Sequence, residues 1–286
     1  MNIKEVIKEG TIRLKINNIE SPNLKARLLM QYVLKQNRQY ILVYDSEEIL
    51  KEKKEKYFKH IEEMLEGKPI EHITNSKEFM KLNFYVDENV LIPRQDTEIL
   101  VEEVIEIAKK CQAKRILDLC TGSGAIGISL AKYIENIKVD AVDISPKALE
   151  VAKKNAKQNN VEEKITFIKS DLFENIKKEK YDIIVSNPPY IKKEIIKTLD
   201  KEVQKEPVLA LDGGEDGLQF YKLIIQQGYE YLKNGGYIVL EIGYDQKEEI
   251  FNLIEQENKI CNNYNQTYSK KDLYEKDRIV VTKFLI

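Results

Sequence analysis

Tyr181-Asp-Ile-Ile-Val-Ser-Asn-Pro-Pro-Tyr-Ile191 reads as a strand that stops abruptly. Ile183, Ile184 and Val185 form a short β-branched run suited to a buried strand. At Asn187-Pro188-Pro189-Tyr190 the ladder cannot continue, because two prolines remove two backbone donors and fix φ. Their carbonyls keep their acceptor capacity, and Asn187 and Tyr190 stand at either end. In an open α/β sheet ligands bind at the carboxyl ends of strands. The tetrapeptide therefore suits a planar group carrying an NH2, such as the amide of glutamine or asparagine or the exocyclic amine of adenine or cytosine. Taken alone, a turn leaving a strand explains an Asn-Pro-Pro at least as well, so the decision rests on its surroundings.

Upstream, from Arg115, the pattern is βαβα, which implies a parallel, doubly wound sheet. Ile116–Leu119 is a first strand that runs into Cys120-Thr-Gly-Ser-Gly-Ala-Ile-Gly127 and a helix through Tyr133. Val139–Asp143 is a second strand, followed by Ser145-Pro146 as cap and first residue of a helix to Asn159. Ile165–Lys169 is a third, ending at Ser170-Asp171. Gly122, Gly124 and Gly127 satisfy GxGxxG, and Asp143 lies about 20 residues on, as a dinucleotide-binding fingerprint requires. A dehydrogenase is one reading. S-adenosylmethionine is favoured by three acids at three successive strands. Asp118 can face an ammonium group, Asp143 can accept two ribose hydroxyls, and Asp171 can accept an adenine amine. Each acid could instead be a helix cap or a surface carboxylate, which for Asp171 taken singly is the favoured reading.

Composition narrows the class. The 286 residues are 42% hydrophobic and 33% charged, enough for one large or two ordinary domains. A formal charge of −2 argues against a protein that coats nucleic acid. Cys111, Cys120 and Cys261 form no CxxC pair, and His60 and His72 are too few for a zinc or Ser/His site, so no metal is expected. No signal peptide or membrane-length apolar run is visible, and a reducing cytoplasm is the default.

Residues 1–75 read as a helical bundle. Ile3, Val6 and Ile7 open a first helix, and Ser21-Pro22 caps and starts a second, with Leu24, Leu28, Leu29, Tyr32 and Val33 as its inward stripe. Ser46 is expected to cap a third, burying Ile49, Leu50, Tyr57, Phe58, Ile61, Met64 and Leu65 and stopped by Gly67 and Pro69. Residues 76–95 read as a β-hairpin connector turning at Asp87-Glu88-Asn89. Asp96 is expected to cap a helix Thr97–Lys110 that opens the domain 96–286. At the far end Tyr237–Ile242 is a fifth strand, Asp245–Glu255 a helix, and Cys261–Tyr268 with Arg278–Phe284 a closing antiparallel hairpin.

Asp118-Leu-Cys-Thr-Gly-Ser-Gly124 followed by Asn187-Pro-Pro-Tyr190 resembles the class I S-adenosylmethionine-dependent methyltransferases that act on planar nitrogen. Gly67-Lys-Pro-Ile70, Ile92-Pro-Arg-Gln-Asp-Thr-Glu98, Glu206-Pro207, Gly213-Gly-Glu-Asp-Gly217, Glu241-Ile-Gly243, Lys271-Asp-Leu and Asp277-Arg278 narrow the resemblance to the release factor glutamine methyltransferase family (PrmC/HemK) over nearly the whole chain. Departures are Gln95 where a proline is usual, Cys120 and Asn75 for frequent glycines, and Leu172 for a larger aromatic. The resemblance implies a seven-stranded α/β sheet with a small N-terminal helical domain, and S-adenosylmethionine, released as S-adenosylhomocysteine, held by Asp118, Cys120, Thr121, Gly122, Ser123, Gly124, Asp143, Ile144, Asp171, Leu172 and Asn187. It implies catalysis by Asn187, Pro188 and Tyr190, with Pro189, Arg94 and Glu98 added to them on the substrate side. The implied substrate is the glutamine of the Gly-Gly-Gln loop of peptide chain release factors, docked by the helical domain. A monomer is expected, with no direct nucleic acid and no membrane. An adenine N6-methyltransferase and a non-catalytic ribosome-associated scaffold are the alternatives.

Overall fold

The computed structural model describes residues 1–261 and 263–285, which fall into two compact units. One unit comprises Met1–Ser76 together with Asp200–Lys205, the other Lys77–Leu199 and Glu206–Ile286.

The first unit is built from α1 (Ile3–Ile16), α2 (Pro22–Leu34), α3 (Arg38–Val43), α4 (Lys51–Leu65) and α5 (Ile70–Thr74). Asn2 and Glu5 close a capping box at the start of α1, with the Glu5 amide donating to Asn2 Oδ1 at 2.8 Å and the Asn2 amide to Glu5 Oε2 at 3.0 Å. Four expectations fail here. Leu24 and Leu28 are exposed, and α2 buries Ala26, Leu29, Met30 and Val33 instead. Two apolar stripes overlap on this helix, and small Ala26 selects the second by letting the Tyr57 hydroxyl reach its carbonyl at 3.2 Å. Ser46 does not cap α4, which starts after Leu50 without a side-chain cap. Asp45–Ile49 is instead tied to the N-terminus, with Ile3 and Lys4 amides donating to the Glu47 and Asp45 carbonyls. Leu50 is left outside, 73% exposed. Ser21 precedes Pro22 in a left-handed conformation (φ 49°) and makes no capping bond, so Pro22 alone marks the start of α2. Gly67 does end α4, at φ 92°, where a β-carbon would run into Lys201.

In the second unit, β1 (Lys77–Phe79) and β2 (Leu82–Phe84) form an antiparallel ribbon. Its turn is Met80-Lys81, not Asp87–Asn89. Both residues are left-handed (φ 49° and 58°), as a two-residue hairpin demands. Val86, Val90 and Ile92 are buried outside any strand, packed on Ala148 and Val151. The following helix α6 (Glu98–Cys111) is entered through a 3₁₀ turn, Gln95–Thr97, and has no side-chain cap; Asp96 pairs with Arg278 at 3.1 Å instead.

A seven-stranded sheet follows: β3 (Arg115–Leu119), β4 (Lys138–Asp143), β5 (Ile165–Lys169), β6 (Tyr181–Ser186), β7 (Leu232–Glu241), β8 (Tyr264–Lys271) and β9 (Asp277–Phe284), in the order β5-β4-β3-β6-β7-β9-β8. The first five strands are parallel, and β9 runs antiparallel to both β7 and β8. Helices α7 (Ala125–Tyr133), α8 (Pro146–Gln158), α9 (Gln219–Gly228) and α10 (Lys247–Cys261) complete the unit. Central strands flanked by helices are buried on both faces, which is why β3 and β6 read as continuous apolar runs rather than alternating ones. The last helix runs on to Cys261, so the closing strand expected from Cys261 begins at Tyr264; Asn262, within that expectation, lies outside the described residues. Strand order departs in opposite directions from the β3–β6 pair, and such a switch point opens a crevice at the carboxyl ends of the strands.

Candidate active site

Register brings the two diagnostic segments together. Leu119 pairs with Val142 on one side and Ser186 on the other, so Cys120, Asp143 and Asn187 leave the sheet side by side. The Ser186 hydroxyl donates to the Leu119 carbonyl at 2.7 Å, fixing that edge.

The turn after β3 is wrapped around carboxylates. Asp118 is fully buried, and its Oδ2 accepts from the Thr121 hydroxyl at 2.6 Å and the Gly127 amide at 3.0 Å. Its Oδ1 is closed from solvent and has no hydrogen-bond partner. Burial raises its pKa to about 7, opposed by the Thr121 and Gly127 bonds. Gly127 admits no β-carbon, which would lie 2.8 Å from Asp118 Oδ2. Cys120 takes a left-handed conformation (φ 59°) that a glycine would adopt without strain. Burial pushes its thiol upward, so it stays protonated and is no nucleophile. Asn155, buried on α8, donates to the Ser123 carbonyl at 2.8 Å and the Tyr85 carbonyl at 2.9 Å, tying the turn to the segment after β2.

Asp143 accepts from the Gly122 amide at 2.8 Å and the Ser145 amide at 2.9 Å. Burial raises its pKa, and these amides oppose the rise. Asp143 lines a cavity of about 260 Å³ with Ile144, Asp171, Leu172, Cys120 and Gly122 on one side and Pro189, Leu209 and Phe220 on the other. A second, smaller hollow of about 50 Å³ is lined by Arg94, Thr97, Thr121, Ser123 and others. Asn187 lines both, as do Cys120 and Gly122.

The Asn-Pro-Pro-Tyr segment is held from behind. Gly213 donates to the Ile191 carbonyl at 2.8 Å, and Ile191 donates to the Leu211 carbonyl at 3.0 Å. Gln246 Nε2 donates to the Tyr190 carbonyl at 3.0 Å and the Gly217 carbonyl at 3.2 Å. Tyr190 packs against the apolar cluster around Leu119 and Ile242, and burial pushes its phenol pKa upward, so it stays neutral.

The two cavity linings take in some of the expected site residues and not others. Asp118 and Gly124 line neither cavity and shape the turn beside them. Pro188 and Tyr190 line neither cavity, although their neighbours Asn187 and Pro189 do. Glu98 accepts from the Met80 amide at 2.7 Å and so fastens the β1–β2 ribbon. Arg94 pairs with Glu206, a buried carboxylate that also accepts from the Ile92 amide at 2.8 Å. Sequence reasoning passed over Thr97, Glu241, Gln246 and Asn155. Their signal was available for Glu241 and Thr97, which stand inside quoted motifs, but a lone glutamine just before a helix or a lone asparagine on one gives none.

Asp118 makes the fold pH-sensitive. Its pKa is raised on folding, so the folded state holds a proton that the unfolded chain has lost between about pH 4 and pH 7. Its contribution is greatest below that window and is lost as pH rises toward 7, by an amount on the order of a few kcal/mol. Glu241, also raised to about 7 by burial, adds a second loss in the same window. Asp118→Asn keeps an acceptor for Thr121 and Gly127, and its melting temperature is expected to fall less steeply from pH 5 to pH 8 than the parent's. Parallel profiles would rule the account of Asp118 out.

Comparison with known proteins agrees with this architecture. Residues 95–215 match the family model described as methyltransferase small domain, and residues 5–74 match the PrmC N-terminal domain. A release factor glutamine methyltransferase from Clostridium acetobutylicum is 41% identical over 284 residues, covering 98% of both chains. Its counterpart from Clostridium botulinum is 42% identical over 283 residues, again covering 98% of both. Among solved structures, a methyltransferase from Pyrococcus furiosus superposes with a TM-score of 0.52 at 19% identity, covering 73% of this chain and 92% of that one, which speaks to fold alone. At 41% identity along practically its full length, the chain belongs to the release factor glutamine methyltransferase family.

Proposed function

We infer that the chain transfers a methyl group from S-adenosylmethionine to the side-chain amide nitrogen (N5) of the glutamine in the Gly-Gly-Gln motif of peptide chain release factors, in support of translation termination. The observation that carries this reading is Asn187, which borders at once the cavity of Asp143 and the smaller hollow beside Arg94.

The residues present fit the cofactor. Asp143 at the end of β4 and Asp171 beyond β5 offer acceptors to a ribose and an adenine amine, with Leu172 and Ile144 as apolar walls. Gly122, at φ 54°, has open space where a β-carbon would stand, so a ligand can approach its backbone. The unpartnered Oδ1 of Asp118 offers a buried acceptor behind the turn. S-adenosylmethionine supplies a methyl group on a sulfonium and leaves as S-adenosylhomocysteine.

The chain itself must orient a poor nucleophile. An amide lone pair is delocalised into its carbonyl, and placement can supply most of the acceleration. In this reading Asn187 Oδ1 and the Pro188 carbonyl accept the two NH2 hydrogens of the substrate and turn its nitrogen toward the cofactor. The same acceptors stabilise the positive charge that the nitrogen gains before it loses a proton. Pro189 walls the cavity, Tyr190 faces the planar amide, and Arg94 and Glu98 support the substrate side. Residues 1–75 recognise the release factor, 76–95 connect, and 96–286 catalyse. The enzyme acts as a monomer in the cytoplasm, without direct contact to nucleic acid; among the described residues no helix is long and apolar enough to cross a membrane.

Labelled S-adenosylmethionine offered with a purified release factor, its Gly-Gly-Ala variant and duplex DNA tests this. Label is expected on the unmodified factor alone. Label on DNA would replace the reading with adenine methylation, and cofactor binding without any transfer would leave a scaffold.

A further inference from the structure

Asparagine carries an acceptor and a donor on one planar group, and only one of them can face the substrate. A substrate NH2 brings two donors, so the site works only with Oδ1 outward. Something must hold the Nδ2 end. Beyond Ser186, which pairs with Val239's neighbour Leu240, the next residues of β6 and β7 are Asn187 and Glu241, so register sets these two beside each other. Asn187 Nδ2 donates to Thr97 Oγ1 at 3.4 Å. Thr97 is 4% exposed and Glu241 1%. Glu241 Oε2 is closed from solvent and has no hydrogen-bond partner, and Thr97 and Asn187 hold the Glu241 pKa below what burial alone would set.

We propose that Thr97 and Glu241 are positioning residues that hold Asn187 with Nδ2 inward and Oδ1 toward the substrate amide. The proposal rests on the function inferred above. Once ionised, the Glu241 carboxylate accepts only, so it binds the NH2 end of Asn187 and rejects the carbonyl end. In this arrangement the Thr97 hydroxyl accepts from Nδ2 and turns its own proton toward Glu241. Arg278 stands beside this group, paired with Asp272 at 2.9 Å and Asp96 at 3.1 Å, and keeps its positive charge close to the Glu241 carboxylate.

The test compares Thr97→Val, Thr97→Ser and Glu241→Gln in the full chain. Thr97→Val and Glu241→Gln are expected to lower kcat on the order of 100-fold, the cost of a misplaced group in a positional mechanism. KM for the release factor and affinity for S-adenosylmethionine should change little. Thr97→Ser, which keeps the hydroxyl, should restore most of the turnover. Side-chain amide NMR of Asn187 gives a readout that needs no turnover: its two Nδ2 proton shifts should be well separated in the parent and in Thr97→Ser, and converge in Thr97→Val and Glu241→Gln. Unchanged shifts in folded Thr97→Val, or a loss of turnover in Thr97→Ser equal to that in Thr97→Val, would overturn the proposal. Absence of transfer by the parent enzyme would instead strike at the inferred function, with the NMR comparison still deciding the orientation of Asn187.

Discussion

Asn187→Ala is expected to lower kcat for methyl transfer by about 10²- to 10³-fold, the range seen when one donor or acceptor aimed at developing charge is removed. The affinity for S-adenosylmethionine should stay within a few-fold, because Asp143, Asp171 and the Gly122 turn are untouched. Nothing in the fold depends strongly on this side chain. Its amide makes one long hydrogen bond, to Thr97 at 3.4 Å, and the stiff backbone of Pro188 and Pro189 remains. A split between intact binding and lost turnover therefore separates a positional role from a structural one. Turnover close to that of the parent would remove Asn187 from the mechanism.

Gly213→Ala is expected to produce the next largest loss, without touching either cavity. A β-carbon there would lie 2.7 Å from Tyr190 Cα, 2.8 Å from its carbonyl carbon and 2.9 Å from the Pro189 oxygen. These are backbone atoms that cannot rotate away, so the Asn-Pro-Pro-Tyr segment must shift. The same glycine donates to the Ile191 carbonyl at 2.8 Å, which ties its displacement to that segment. A displacement of about 1 Å costs on the order of 100-fold in a reaction that relies on placement, and the forced repacking should also cost about 1–3 kcal/mol of stability. Kinetics and thermal melting of the purified variant check both. Parent-like kcat with a parent-like melting temperature would show that the Gly213–Gly217 segment does not set the position of the box.

The parallel core was legible because its signals are local. β-Branched runs, glycine turns and Ser145-Pro146 placed β3 to β6 and their helices within a residue or two, and Ser145 does cap α8, accepting from the Ala148 amide at 3.2 Å. Failures came where a polar residue had a better partner far away in sequence. Asp96 was expected to cap α6 and is drawn to Arg278, 182 positions along the chain. Ser46 was expected to cap α4, but its segment is spent on the N-terminus of α1. Hairpin placement failed because Met80-Lys81 takes two left-handed conformations with neither glycine nor asparagine to announce them. For the site, motif residues that end strands were visible one by one. Their support was not: Gln246 reaches Tyr190 and Gly217, and Glu206 reaches Ile92 and Arg94, only through tertiary contact.

The most direct test of the central claim, that the box at Asn187 presents a side-chain amide for methylation, is to map the modified atom. A release factor treated with this enzyme and S-adenosylmethionine would be digested and sequenced by fragmentation mass spectrometry. The account predicts N5-methylglutamine at the Gly-Gly-Gln motif, formed by the parent enzyme and nearly absent with Asn187→Ala. A methyl group on any other residue, or on that glutamine at the same rate with Asn187→Ala, would contradict it.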